Sequence, residues 1–248
     1  RSVYTPLTSA VFWDVLDTFI PDIERIEVIR GPGATLWGAN AVNGVVNIIT
    51  QSAADTHGGM LQVGGGSELQ GLASLRSGSA VGSVGDARFY AKAFDLDASE
   101  LANGSNTRDA QRHVQGGMRS DWRLSDKQSL SLSGDLYAGT EKAVGAVSRE
   151  AIETELNGAN LNGRWSLRTS ERGSLAATFS YDQYRRSQPE SFREHRETWD
   201  LGLQHQTWTG SRHEWAYGLG YRHSRDSTGG APLAIIFNPA ERKLETWS

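Results

Sequence analysis

From Gly59 onward the chain repeats a pattern that few folds accommodate: apolar residues at every second position, in runs of about ten residues. In Ser129 to Gly139, Leu130, Leu132, Leu136 and Ala138 fall on one face, and Ser129, Ser131, Ser133, Asp135 and Tyr137 on the other. Leu161, Gly163, Trp165 and Leu167 repeat it, as do Leu175, Ala177, Phe179 and Tyr181, then Trp199, Leu201 and Leu203, then Trp215, Tyr217, Leu219 and Tyr221. The opposite faces carry Arg164, Arg168, Asp182, Asp200, Glu214 and Arg222. A dry core between two sheets has no place for those charges, so the pattern disfavours a soluble β-sandwich. A membrane barrel with a wet or filled interior accepts them, and runs of about ten residues are long enough for a tilted strand to cross a bilayer. Ala87 to Asp97 has apolar residues on both faces, and Gln70 to Ser79 alternates weakly.

Connection lengths point the same way. Short polar turns at Ser125-Asp126-Lys127-Gln128, Thr169-Ser170-Glu171-Arg172 and Thr209-Gly210-Ser211 alternate with longer polar stretches at Ala98 to Ala110, Thr140 to Asn157, Arg185 to Arg196 and Arg225 to Arg242. Outer-membrane barrels show this alternation of short and long links. The expected fold is mostly β, with about ten antiparallel transmembrane strands after Gly59.

Composition sets the exclusions. Hydrophobic residues make up 38% of the 248, mean hydropathy is −0.48, and 28 Gly, 8 Trp and 7 Tyr suit strands with one apolar face better than a packed helical domain. A net charge of −4 gives no basic field for nucleic acid. Absent cysteine excludes disulfides, thiol catalysis and Cys-ligated metal. No apolar run is long enough for a transmembrane helix, and Asp14 and Asp17 break the most apolar early stretch, so it is no signal peptide. The start at Arg1 and the stop at Ser248 in mid-pattern read as those of an internal piece of a longer chain. The six histidines show no H-E-x-x-H spacing and no G-x-S-x-G occurs, so a barrel enzyme ranks low and neither a catalytic residue nor a metal site is assigned.

One stretch breaks the alternation. Ile23 to Thr50, IERIEVIRGPGATLWGANAVNGVVNIIT, places two β-branched runs around Gly31, Pro32, Gly33, Gly38 and Gly44. It is no phosphate loop, because no Lys-Ser or Lys-Thr follows the glycines and no G-x-G-x-x-G opens a helix. The run RGPGATLWGANAVNGVVNIIT resembles the end of the plug domain of TonB-dependent outer-membrane receptors. The motif residues are Arg30, Gly31, Pro32, Gly33, Trp37, Gly38, Asn40, Ala41, Gly44 and Asn47. Trp37 stands where Tyr is more usual, and Asn43 where a second Gly is common.

The resemblance implies that residues 1–52 form the C-terminal part of a plug, 53–58 a linker, and 59–248 the first part of a barrel of about twenty-two strands. It further implies active uptake of a scarce ligand, most often a ferric siderophore, across the bacterial outer membrane. The partners would be the TonB-ExbB-ExbD energy-transducing complex, outer-membrane lipid and the small-molecule ligand, with no nucleic acid and no cofactor. A passive porin-like or structural barrel is the alternative. Two residue groups then become candidate contacts. Glu24, Glu27 and Arg30 would form ion pairs between plug and barrel wall, and Arg185, Arg186, Arg193, His195 and Arg196 would present guanidinium groups to an anionic ligand.

Overall fold

The computed structural model describes residues 3–32, 41–145, 147–210, 212–230 and 235–248. Two sheets make up the structure. The smaller is a hairpin of β1 (Ile23–Arg30) and β2 (Gly44–Thr50), paired antiparallel from Ile23↔Thr50 to Arg30↔Gly44. The runs rich in Ile and Val form it because branched side chains fit an extended backbone. At its closed end Gly44 packs so near Ile29 that an added Cβ would lie 2.6 Å from the Ile29 carbonyl oxygen, which only glycine tolerates.

The larger sheet has ten strands: β3 (Gly58–Gly64), β4 (Leu69–Val81), β5 (Gly85–Leu96), β6 (Gln111–Ser125), β7 (Gln128–Val144), β8 (Ala151–Arg168), β9 (Ser174–Ser187), β10 (Phe192–Thr209), β11 (His213–Gly230) and β12 (Glu241–Trp247). Each pairs antiparallel with its sequence neighbour, so the order along the sheet is the order along the chain. The links that follow β4, β6, β8 and β10 therefore leave from one end, and those that follow β3, β5, β7, β9 and β11, the longer ones, from the other.

Several strands are longer than the alternation suggested, and the difference corrects the expected loops. β8, β10 and β11 each run 18 residues. The polar stretch Arg185 to Arg196 is mostly strand: Arg185 and Arg186 end β9, Arg193, His195 and Arg196 begin β10, and only 188–191 link them. The links predicted over Thr140 to Asn157 and Arg225 to Arg242 shrink in the same way. Ladder hydrogen bonds continue past the apolar band because they need no apolar side chain.

The two faces of the large sheet differ as predicted. On one, Leu136, Leu201 and Leu219 are 68%, 51% and 58% exposed, and no second sheet covers them among the described residues. The other face receives the N-terminal segment, residues 4–22, through polar contacts. The apolar cluster beneath it is small, Val15, Leu156 and Tyr184 with Phe12 and Tyr137 beside them. Ala87 to Asp97 is apolar on both faces for this reason: Phe89 is bare on one, while on the other Tyr90 stacks on Phe19 at 4.3 Å.

At the end with the longer links, Glu190 in the 188–191 turn accepts hydrogen bonds from the backbone N–H of Val147 at 3.0 Å and Ser148 at 2.9 Å. Bonds to Ser148, then to Val147, hold its carboxyl below the usual glutamate range. A depressed carboxyl stabilises its contact above the ordinary glutamate value, about 4.3, and the contribution is lost as pH falls through the lowered folded value. Protection of the Val147 and Ser148 amides from hydrogen exchange is therefore expected to fall on acidification below that ordinary value. In Glu190→Gln it should be low at every pH; protection that ignores pH in the parent removes the assignment.

Candidate functional site

The site is built where the N-terminal segment meets the large sheet. Period two brings Arg76, Arg88, Lys92, His113, Gln115, Arg119, Arg186 and Glu194 onto the same face of five strands, β4 to β6 and β9 to β10. Each meets a group from the first 56 residues. Asp22, 2% exposed, takes Arg76 Nη1 at 2.6 Å and Arg88 Nε at 2.7 Å. Arg88 also donates to the carbonyl oxygens of Gln51 and Ser52 at 2.7 and 3.2 Å. Asp17 binds the Lys92 ammonium, and its carbonyl oxygen accepts from Gln115 at 2.8 Å. Asp14 takes Arg186 Nε at 2.7 Å, and Arg186 lies over the rings of Phe12 and Phe192 at 5.2 and 5.4 Å. Thr5 donates to Glu194 at 3.3 Å, and Arg119 donates to Thr50 Oγ1 at 3.0 Å.

Three carboxylates thus tie the segment across the sheet, two to β4 and β5 and one to β9. Such an interface needs both partners of each pair, since a buried charge left alone is costly. The polar nature of the interface is general: fourteen buried residues among those described are polar or charged, against nine apolar.

The residues singled out in the sequence fall differently. Glu24 and Glu27 are engaged by Arg25 on the same strand, at 2.6 and 2.8 Å, and Glu27 also accepts from Asn47 of β2 at 3.0 Å. Those hydrogen bonds hold the Glu27 carboxyl below its usual range. Arg30 is exposed at the end of β1. The wall contacts belong to Asp14, Asp17 and Asp22 instead. Of the five basic residues at β9 and β10, Arg186 faces the N-terminal segment and Arg196 is buried against Asp226 at 2.8 Å. Arg185, Arg193 and His195 project from the other face, so the five do not converge. Within the glycine-rich motif, Arg30, Gly31, Pro32, Ala41, Gly44 and Asn47 are described, and Gly31 adopts a positive φ of 94° beyond the end of β1. Gly33, Trp37, Gly38 and Asn40 lie outside the described residues.

No protein-family model matches the chain. Curated relatives do. The vitamin B12 transporter BtuB of Vibrio vulnificus is 48% identical over 48 residues, 19% of this chain and 8% of that protein. The ferric enterobactin receptor of Pseudomonas aeruginosa is 62% identical over 39 residues, 15% and 5% of the two chains. The iron-regulated outer membrane virulence protein of Vibrio cholerae is 32% identical over 131 residues, 52% and 19%. Among solved structures, the siderophore receptor PirA from Pseudomonas aeruginosa superposes with a TM-score of 0.63 at 18% identity, over 90% of this chain and 39% of PirA. The closed form of the ferric-catecholate import receptor Fiu from Escherichia coli gives 0.67 at 12% identity, over 86% and 38%.

The chain resembles the TonB-dependent receptors over these stretches and shares their fold.

It spans less than a fifth of the length of the three curated relatives and about two-fifths of the two structures. Shared fold with TonB-dependent receptors makes the ten-stranded sheet part of a barrel wall, its bare face outward. The residues that hold the segment to that wall escaped sequence reasoning, although one signal was present. Asp14 and Asp17 interrupt an otherwise apolar stretch, and an acidic residue in such a place needs a cation across from it. Which cation serves was not readable, since Arg186 is 172 positions away.

Proposed function

We propose that this chain works within a TonB-dependent importer that carries a scarce ligand, with a ferric siderophore first among the candidates, across the bacterial outer membrane. In this reading residues 1–52 are the C-terminal part of a plug, 53–58 a linker, and 59–248 the opening strands of a barrel of about twenty-two. Ligand binds on the side of the longer links. The TonB-ExbB-ExbD complex, driven by the proton gradient, then shifts the plug to open a path. The chain contributes no bond-making chemistry to this.

One observation carries the proposal: a segment held across the wall's polar face by separate ion pairs of Asp14, Asp17 and Asp22. Such a segment obstructs passive flow, which argues against a porin-like barrel. Because the pairs are separate, a pull can break them one after another instead of all at once. The names of the relatives, which include siderophore receptors and a vitamin B12 transporter, support a chelated nutrient as cargo.

The test uses cells whose only route for iron from a ferric siderophore is the full-length receptor. Collapsing the proton gradient is expected to stop uptake while surface binding persists. Uptake that continues unchanged after collapse would favour a passive pore.

A further inference from the structure

Asp14, Asp17 and Asp22 of the N-terminal segment each meet a cation on the wall, but Glu194, the wall carboxylate that faces the segment, pairs with none among the described residues. It lies near the start of β10, ahead of the apolar run that opens at Trp199, and is 2% exposed. Its Oε1 accepts from the Thr5 hydroxyl at 3.3 Å, while Oε2 is shut off from solvent and makes no hydrogen bond. An ionised carboxylate here would leave a charged oxygen without a donor in a place water does not reach, which is costly. The atoms that shut Oε2 off belong to this chain, so further chain around them can only deepen the burial.

The neighbouring cations are engaged elsewhere. Arg186 of β9, directly across the ladder from Glu194, is held by Asp14 at 2.7 Å and Gln188 at 2.9 Å. Arg196 of β10 has its Nη1 2.8 Å from both carboxylate oxygens of Asp226 in β11, and Arg242 of β12 stands across from Asp226 as well. In β8 the same row holds Leu156, which carries no charge. The remaining titratable neighbour is Tyr184 of β9, whose buried Oη also makes no hydrogen bond. A neutral acid suits these surroundings, with the hydrogen on Oε2 and Oε1 left as the acceptor for Thr5. Burial, with the Asp226 charge adding to it, pushes the Glu194 carboxyl above the usual glutamate range.

We propose that Glu194 binds a proton as the N-terminal segment seats on the wall and gives it up to water when the segment leaves, so that seating takes up one proton. The proposal rests on the import reading in one respect, that the segment leaves its seat during transport. A carboxyl raised in the seated state favours seating in full below the ordinary glutamate value, about 4.3, and that contribution is lost as pH rises through the raised value. Within that window release becomes about tenfold easier per pH unit, the reach of one proton. The sign is opposite to that of Glu190, whose contact is lost on acidification.

The test uses the full-length receptor in lipid vesicles, labelled with carbon-13 glutamate so that its glutamate and aspartate bands separate in the infrared. The difference between parent and Glu194→Gln isolates the carbonyl band of the protonated Glu194 carboxyl, and its titration midpoint is expected above the ordinary value of about 4.3. Asp226→Asn frees Arg196 for Glu194 and should bring that midpoint down to the ordinary value or below. In urea, release of residues 1–52 is read by protease sensitivity. The ratio of release constants, parent over Glu194→Gln, should rise by up to about tenfold per pH unit and level off above the midpoint. A midpoint at or below the ordinary value, or a ratio that ignores pH, overturns the proposal. Should Glu194→Gln fail to assemble, as judged by heat-modifiable mobility, the labelled parent and Asp226→Asn decide: no glutamate band lost between them above the ordinary value overturns it too. Iron uptake that stops on collapse of the proton gradient, alongside an ordinary midpoint, removes the proton link and leaves the importer. A raised midpoint alongside uptake that ignores collapse does the reverse.

Discussion

Asp22→Ala is expected to destabilise the attachment of the N-terminal segment by about 3–5 kcal/mol, the usual cost of stripping one partner from a buried ion pair. Two cations depend on this carboxylate. Arg88 is 4% exposed and would retain only neutral acceptors, the carbonyl oxygens of Gln51 and Ser52 and the Thr56 hydroxyl, and Arg76 would lose its partner at 2.6 Å. The prediction is checked by urea titration of the purified receptor, together with protease sensitivity of residues 1–52. A matched change at Glu24, whose pair with Arg25 is half exposed on both sides, should cost less than about 1 kcal/mol. If Asp22→Ala and Glu24→Ala were equally mild, the buried pairs would not be what holds the segment. Replacing Asp22 and both arginines together by apolar residues of similar volume should recover most of the loss, because the penalty arises from the orphaned charges.

Leu201→Lys is the second large effect, expected at about 2–4 kcal/mol. Leu201 lies near the middle of β10 on the outward face, opposite Phe179 on one side and Tyr221 on the other. A lysine there must either enter hydrocarbon or reach for the interface along its stem. The measurement is the urea midpoint of the receptor refolded into lipid vesicles. Asp200→Lys, one residue away but on the polar face beside Arg222, tests the facing directly. It should cost through charge repulsion that added salt relieves, whereas the Leu201 effect should not respond to salt. Equal salt response at the two positions would mean that the face is misassigned.

The fold was legible where a single physical rule acts at every second residue. Leu130, Leu132 and Leu136 alternate with serines because one face of β7 meets lipid and the other does not, and that contrast is written locally. Strand ends were not legible. Arg185, Arg193 and His195 extend β9 and β10 beyond the apolar band, and polar residues that pair only through backbone look like loop in a sequence. The candidate site was less legible still. Glu24 and Glu27 sit beside the most recognisable motif, yet Arg25 between them takes both charges. Asp14, Asp17 and Asp22 reach the wall instead, and their partners are 54 to 172 positions distant.

The neighbour-only pairing of β3 to β12 has a consequence for how the molecule is made. Each hairpin closes over a link of two to fourteen residues, so the wall grows by local, inexpensive loop closures in chain order. Thr5 and Asp14, by contrast, find Glu194 and Arg186 only across 189 and 172 positions. Although it precedes the wall in the chain, this stretch must therefore wait unanchored on that side until β9 and β10 are laid. Its final seating is a late event, which makes it a natural point at which a cell can tell a finished receptor from an unfinished one.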